Sequence, residues 1–174
     1  LNTVQAKDCI TDGPGDKQID AVFVDDQAQI VYIIQGKFYS GATIDAQPLR
    51  EVLSSWMLIK DLAKLQESAN DKLQAKISEI STAIEDDYHI CFELLTTSSL
   101  TESAQGDLLA YNRQLAEDEK LSASIVLVDS DILQSRLDEA LNHARPYINF
   151  EFRVESDKVL QMTINGTKAA IVAL

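Results

Sequence analysis

Two short apolar runs, Ile19 to Val24 and Ile30 to Gln35, constrain the fold more than any other feature of the chain. They are rich in Val, Ile, Phe and Tyr and are separated by the polar stretch Asp25-Asp-Gln-Ala-Gln29, which predicts a β-hairpin. Neither run alternates apolar with polar residues. That is the pattern of strands covered on both faces, so the hairpin is expected in the centre of a sheet. Pairing that is symmetric about the loop sets Asp26 opposite Gln29, so that paired numbers sum to 55. Val24 then faces Val31, Val22 faces Ile33, and Asp20 faces Gln35. Cross-strand neighbours lie about 5 Å apart at Cβ. Lys37, two residues past Gln35, shares its face because strand side chains alternate. Three polar groups thus converge at one end of an apolar ribbon.

The rest of the chain reads as alternating helices and strands. Leu49, Val52, Leu53, Trp56, Leu58, Ile59, Leu62 and Leu65 recur at helical spacing, with Pro48 in the first turn, and predict one long helix over 45–66. Leu73, Ile77, Ile80 and Ile84 predict a second, amphipathic helix. Tyr88 to Thr97 reads as a strand, Thr101 caps a helix running to about Lys120, and Ser124 to Val128 is again a strand. Asp129 or Asp131 caps a further helix through His143, which Pro146 stops. Ile148 to Val154 and Val159 to Ile164 are expected to form a last hairpin, followed by a strand from Lys168. The fold class is α/β, with a mixed β-sheet flanked by helices.

A chain of 174 residues with 45% hydrophobic residues suits a single domain with a sizeable core. Its first residue is Leu, and its last residues read as a strand cut in mid-run, so an N-terminal fragment of a longer protein is expected. No apolar stretch approaches the ~20 residues of a membrane helix, and Lys7 and Asp8 interrupt any leader. A soluble, cytoplasmic protein is expected. Cys9 and Cys91 stand apart and only two histidines occur, which leaves no disulfide framework and no Cys/His zinc site. The net charge of −13 excludes a general nucleic-acid-coating protein.

Two readings of the convergent polar groups stand side by side. In one, Asp20 and Lys37 form a structural ion pair at a sheet end, with Gln35 as a hydrogen-bonding neighbour. In the other, the Asp20 carboxylate, the Gln35 side-chain oxygen and the Gly36 carbonyl bind Mg²⁺ or Mn²⁺. Lys37 then lies beside a scissile phosphate, orienting water and offsetting developing charge.

Gly13-x-Gly15-Asp16-x-x-Ile19-Asp20 followed by Gln35-x-Lys37 resembles the active-site signature of the PD-(D/E)xK nuclease superfamily, in the Gln-x-Lys variant of Mrr-type restriction endonucleases. In more detail, residues 12–24 and 30–39 resemble the N-terminal region of bacterial abortive-infection phage-resistance (AIPR) proteins. The tail Asn165-Gly-Thr-Lys-Ala-Ala-Ile-Val-Ala-Leu174 is similar to the stretch leading into their main domain. The motif spans about residues 12–38; elsewhere the likeness is in element order.

The resemblance implies a restriction-endonuclease-like fold and metal-dependent hydrolysis of phosphodiesters, of DNA in preference to RNA. It implies that Asp20 is the metal-binding aspartate, that Gln35 replaces the usual second acid, and that Lys37 is the catalytic lysine. Gly13, Gly15 and Asp16 match the turn into the first catalytic strand. Family members commonly carry a further Glu on a preceding helix; here Asp8 is the sole acid ahead of Asp12. Gln47 is a candidate for positioning substrate, beside its reading as a surface glutamine.

The remaining marked residues have plainer readings: Trp56 as core, His89 and His143 at element ends, and the acids at 85–87 and 117–119 as solvated helix ends. Implied partners are a nucleic acid, the C-terminal remainder of the same polypeptide and, as an open case, a second copy, but no membrane. Two other function classes remain: an inactive nuclease-fold scaffold for oligomerisation or partner recognition, and an acidic mimic of DNA. Lys7, Lys17, Lys37, Arg50 and Lys60 are the cations near the motif available to meet phosphate.

Overall fold

A computed structural model describes residues 3–144, 159–164 and 167–172. A short helix α1 (Thr3–Asp8) precedes β1 (Ala21–Asp25) and β2 (Ile30–Lys37), joined by the expected loop. Then come β3 (Thr43–Ile44), α2 (Gln47–Ile59), α3 (Leu62–Ser68), α4 (Asp71–Glu85), β4 (His89–Thr96) and β5 (Ser99–Leu100). They are followed by α5 (Glu102–Ala116), β6 (Ala123–Val128), α6 (Ser130–Ala144), β7 (Val159–Ile164) and β8 (Thr167–Val172). The chain divides into two compact units, residues 1–137 and 138–174. In the second, β7 and β8 pair antiparallel. The expected hairpin partner of Val159–Ile164, residues 148–154, and the stop at Pro146 lie outside the described residues.

In the first unit four strands form a mixed sheet in the order β1-β2-β4-β6, flanked by helices. β1 and β2 are antiparallel; β2, β4 and β6 are parallel. The register of the hairpin is the expected one, with Val24 opposite Val31 and Val22 opposite Ile33. Its place is only half as expected: β2 is interior, but β1 is the edge strand. Nor is it covered on both faces: of β1 only Val22 is buried, and its neighbours are partly exposed. The chain at 9–12 lies along its outer edge, where Val22 N–H donates to the Cys9 carbonyl and the Thr11 and Asp12 N–H groups donate to the Asp20 carbonyl.

The expected long helix is two helices. Asp61 accepts a hydrogen bond from Lys64 N–H and caps α3, offering the backbone an alternative to continuation. Asn70 caps α4 and Thr101 caps α5 in the same way. The core joins Ile19, Val31 and Ile33 to Leu49, Val52 and Trp56 of α2, Leu73, Ile77 and Ile80 of α4, and Ile90, Phe92 and Leu94 of β4. Trp56, 4% exposed, belongs to that core. Because side chains alternate, Val31, Ile33, Gln35 and Lys37 share one sheet face with Ile90, Phe92 and Leu94. Tyr32, Cys91 and Glu93 occupy the other.

Candidate metal-binding site at the hairpin end

The turn ahead of β1 is built by glycine and aspartate. Gly13 (φ 145°) and Gly15 (φ 84°) take conformations open to glycine. Asp16 holds the turn closed, its carboxylate accepting from Gly13 N–H at 3.1 Å and Gln18 N–H at 2.9 Å. Lys17 and Gln18 also have positive φ, a strained pair that the fold over-determines. Three contacts fix the loop: Asn70 Nδ2 donates to the Thr11 carbonyl, Asn70 N–H donates to the Gly15 carbonyl, and Ser55 Oγ donates to the Lys17 carbonyl. Ile19, fully buried, anchors its end. Gly13, Gly15 and Asp16 all lie in this turn.

This loop delivers Asp20 to the β2 end carrying Gln35, Gly36 and Lys37. The expected pairing of Asp20 with Gln35 is not formed: the register holds from Ala21 to Asp25 and slips by one residue here, where Asp20 N–H donates to the Ile34 carbonyl at 2.8 Å. The Asp20 carboxylate accepts from Gly36 N–H at 2.6 Å. Burial pushes the Asp20 carboxyl above its ordinary value; the Gly36 hydrogen bond opposes this, and the nearby Asp16 and Asp12 charges add to it.

The structure corrects the reading of an Asp20–Lys37 ion pair. Lys37 pairs instead with Glu51 of α2, Nζ to Oε2 at 2.9 Å. Burial works to lower the Lys37 ammonium, but the hydrogen bond and charge of Glu51 outweigh it and hold it above its ordinary value. Burial likewise works to raise Glu51, and Lys37, with Gln47 and Gln35, brings it below the ordinary carboxylate value. Gln47, exposed at the start of α2, donates from Nε2 to Glu51 Oε1 at 3.3 Å, so it joins the site through Glu51. Gln35 is 3% exposed, and its Nε2 lies 3.5 Å from Glu51 Oε2. Its Oε1 is buried with no hydrogen-bond partner, a feature shared among the described residues only with Trp56 Nε1.

Glu51 was not singled out from sequence. Its signal was present: Gln47 and Glu51 are four residues apart, and on a helix that places both on one face. What the sequence did not carry is which strand residue that face meets.

The donors here are all oxygen. Carboxylate oxygens of Asp12, Asp16 and Asp20 lie within 4.8 Å of one another, and an unpartnered amide oxygen sits on the adjacent strand. The three carboxylates fit a hard divalent cation, which would relieve the crowded charge at Asp20. Asp12 and Asp16 extend the expected donor set of Asp20, Gln35 and Gly36. Of the cations near the motif, Lys60 is taken by Asp118 and lies 4.5 Å from the Trp56 ring; Lys17 is partly exposed and Arg50 exposed. A cavity of about 470 Å³ elsewhere, at the loop end of the hairpin, is lined by Asp26, Glu79 and Asp86 and suits no phosphate. No described helix is long and apolar enough to cross a membrane. The chain matches no protein-family model, and no curated protein or solved structure matches it.

Proposed function

We propose that the chain is a metal-dependent endonuclease module of restriction-endonuclease-like fold. It hydrolyses phosphodiester bonds of DNA, in preference to RNA, within a phage-defence protein of the abortive-infection kind. The observation that carries this reading is the end of the hairpin, where the Asp20 carboxylate accepts from the Gly36 N–H, flanked in sequence by Gln35, whose buried Oε1 has no partner, and by Lys37. The mixed sheet flanked by helices agrees with it, and so does the resemblance of residues 12–38 to the Gln-x-Lys nucleases.

Asp20 and Gln35 would hold Mg²⁺ or Mn²⁺, with Gly36 and the neighbouring Asp12 and Asp16 as further oxygen donors. A divalent ion there supplies Lewis-acid polarisation of a phosphoryl oxygen. Lys37, kept as an ammonium by Glu51, orients a water and offsets charge that builds on the phosphate. Lys17 and Arg50 lie near the motif in sequence and are the cations that an overall −13 chain would bring to a polyanion.

That same charge, and the engagement of Lys37 by Glu51, favour the second reading, an inactive scaffold. Incubating supercoiled plasmid, single-stranded DNA and RNA with the protein in Mg²⁺ or Mn²⁺ separates the two. The nuclease reading predicts cutting that requires the metal and falls at least about 100-fold in Lys37→Ala. Inactivity on every substrate would transfer the assignment to the scaffold.

A further inference from the structure

We infer that Glu51 is the positioning residue of this site, fixing the Gln35 carboxamide so that its oxygen, and not its amino group, is the face offered to a ligand. The inference rests on the metal-site reading above and deepens it. A carboxamide has nearly one shape and two opposite chemistries: turned one way it presents an acceptor to a cation, turned the other way two donors that repel it. Nothing in the β2 backbone chooses between them.

Glu51 does choose. An ionised carboxylate only accepts hydrogen bonds, so the group facing it must be Nε2. Oε2 of Glu51 lies 3.5 Å from Gln35 Nε2 and 2.9 Å from Lys37 Nζ, while Oε1 takes Gln47 Nε2 at 3.3 Å. Three donors on three sides fix the carboxylate, and the carboxylate fixes Gln35. The consequence is the buried Oε1 with no hydrogen-bond partner. Glu51 touches neither substrate nor cation in this account. It acts through Gln35, as groups behind metal ligands commonly do.

The test measures Mn²⁺ binding, by the electron paramagnetic resonance of the free ion, in four proteins: the parent chain, Glu51→Gln, Gln35→Glu and the double variant. Glu51→Gln should weaken binding about tenfold. A glutamate at position 35 presents oxygen whichever way it turns, so in the Gln35→Glu background the same change should cause no loss. Equal weakening in both backgrounds would show that Glu51 contributes charge alone and would overturn the inference while leaving the metal site standing. Absence of Mn²⁺ binding to the parent chain would overturn both.

A measurement on the metal-free parent chain guards against misfolded variants. The Gln35 side-chain NH₂ resonances, identified by their loss in Gln35→Leu, should be protected from solvent exchange. A freely exchanging Gln35 amide would overturn the inference without any variant of Glu51.

Discussion

The two faces of the central sheet each carry a strand-to-helix ion pair, and the pairs are built differently. On one face Arg136 of α6 meets Glu93 of β4 through two parallel hydrogen bonds of 3.0 and 2.9 Å, the bidentate geometry in which guanidinium and carboxylate satisfy each other. On the other, Lys37 of β2 meets Glu51 of α2 by a single contact, beside a buried amide oxygen with no hydrogen-bond partner. The first pair is complete. The second stands beside one buried acceptor, Gln35 Oε1, that has no hydrogen-bond partner, and the proposed cation site rests on that difference.

If this contrast is right, substitutions on the two faces should fail in different ways. The largest effect is on the incomplete face: Lys37→Ala should lower metal-dependent cleavage by about 100-fold or more, with a urea-unfolding midpoint lowered modestly by the loss of the Glu51 pair. The next is on the complete face. Arg136→Ala strands a Glu93 side chain only 10% exposed. Breaking a buried pair costs roughly 3–5 kcal/mol, but Arg136 is half exposed, and about 1–3 kcal/mol is expected in denaturant titration, with Mn²⁺ binding unchanged. A Mn²⁺ affinity that moved with Arg136 would break the comparison.

A third substitution reverses the sign. Gln35→Leu removes the unmet acceptor and should stabilise the metal-free protein by about 1 kcal/mol while eliminating Mn²⁺ binding. The smallest effect is a pH dependence. The Asp20 carboxyl is raised in the folded state by burial, so the native form holds its proton more tightly than the unfolded chain. Stability from Asp20 is therefore present at low pH and lost as pH rises through the folded pKa. Asp20→Asn should raise the metal-free melting temperature at pH 7, by no more than about 1 kcal/mol in stability for a partly exposed group. The gain should vanish near pH 3, below the ordinary Asp value of about 3.9. Glu51 runs the other way: lowered by Lys37, it stabilises at neutral pH and loses that contribution as pH falls through its folded pKa.

Local features of the fold were legible wherever one residue type has one use. The hairpin register followed from its loop, and Thr101, with an acceptor oxygen ahead of a helical run, caps α5. The helix break at Lys60–Asp61 was not legible, because Leu58, Ile59, Leu62 and Leu65 keep helical spacing across it and the cap at Asp61 competes only weakly. The two-residue parallel pair of β3 and β5 is too short for any period to show. In the site, Asp20, Gln35, Lys37 and the glycine turn could be read because they lie on one hairpin. The partner of Lys37 depends on how α2 packs on the sheet, a long-range fact that no spacing encodes, and so Asp20 was expected where Glu51 stands.

Anomalous diffraction from a crystal of the protein soaked in Mn²⁺ tests the proposed cation at the hairpin end most directly. A cation held there gives one strong manganese peak at the Asp20 carboxylate and Gln35 Oε1, with none at the Glu93–Arg136 pair. A saturating soak that leaves Asp20 and Gln35 without a peak would contradict it.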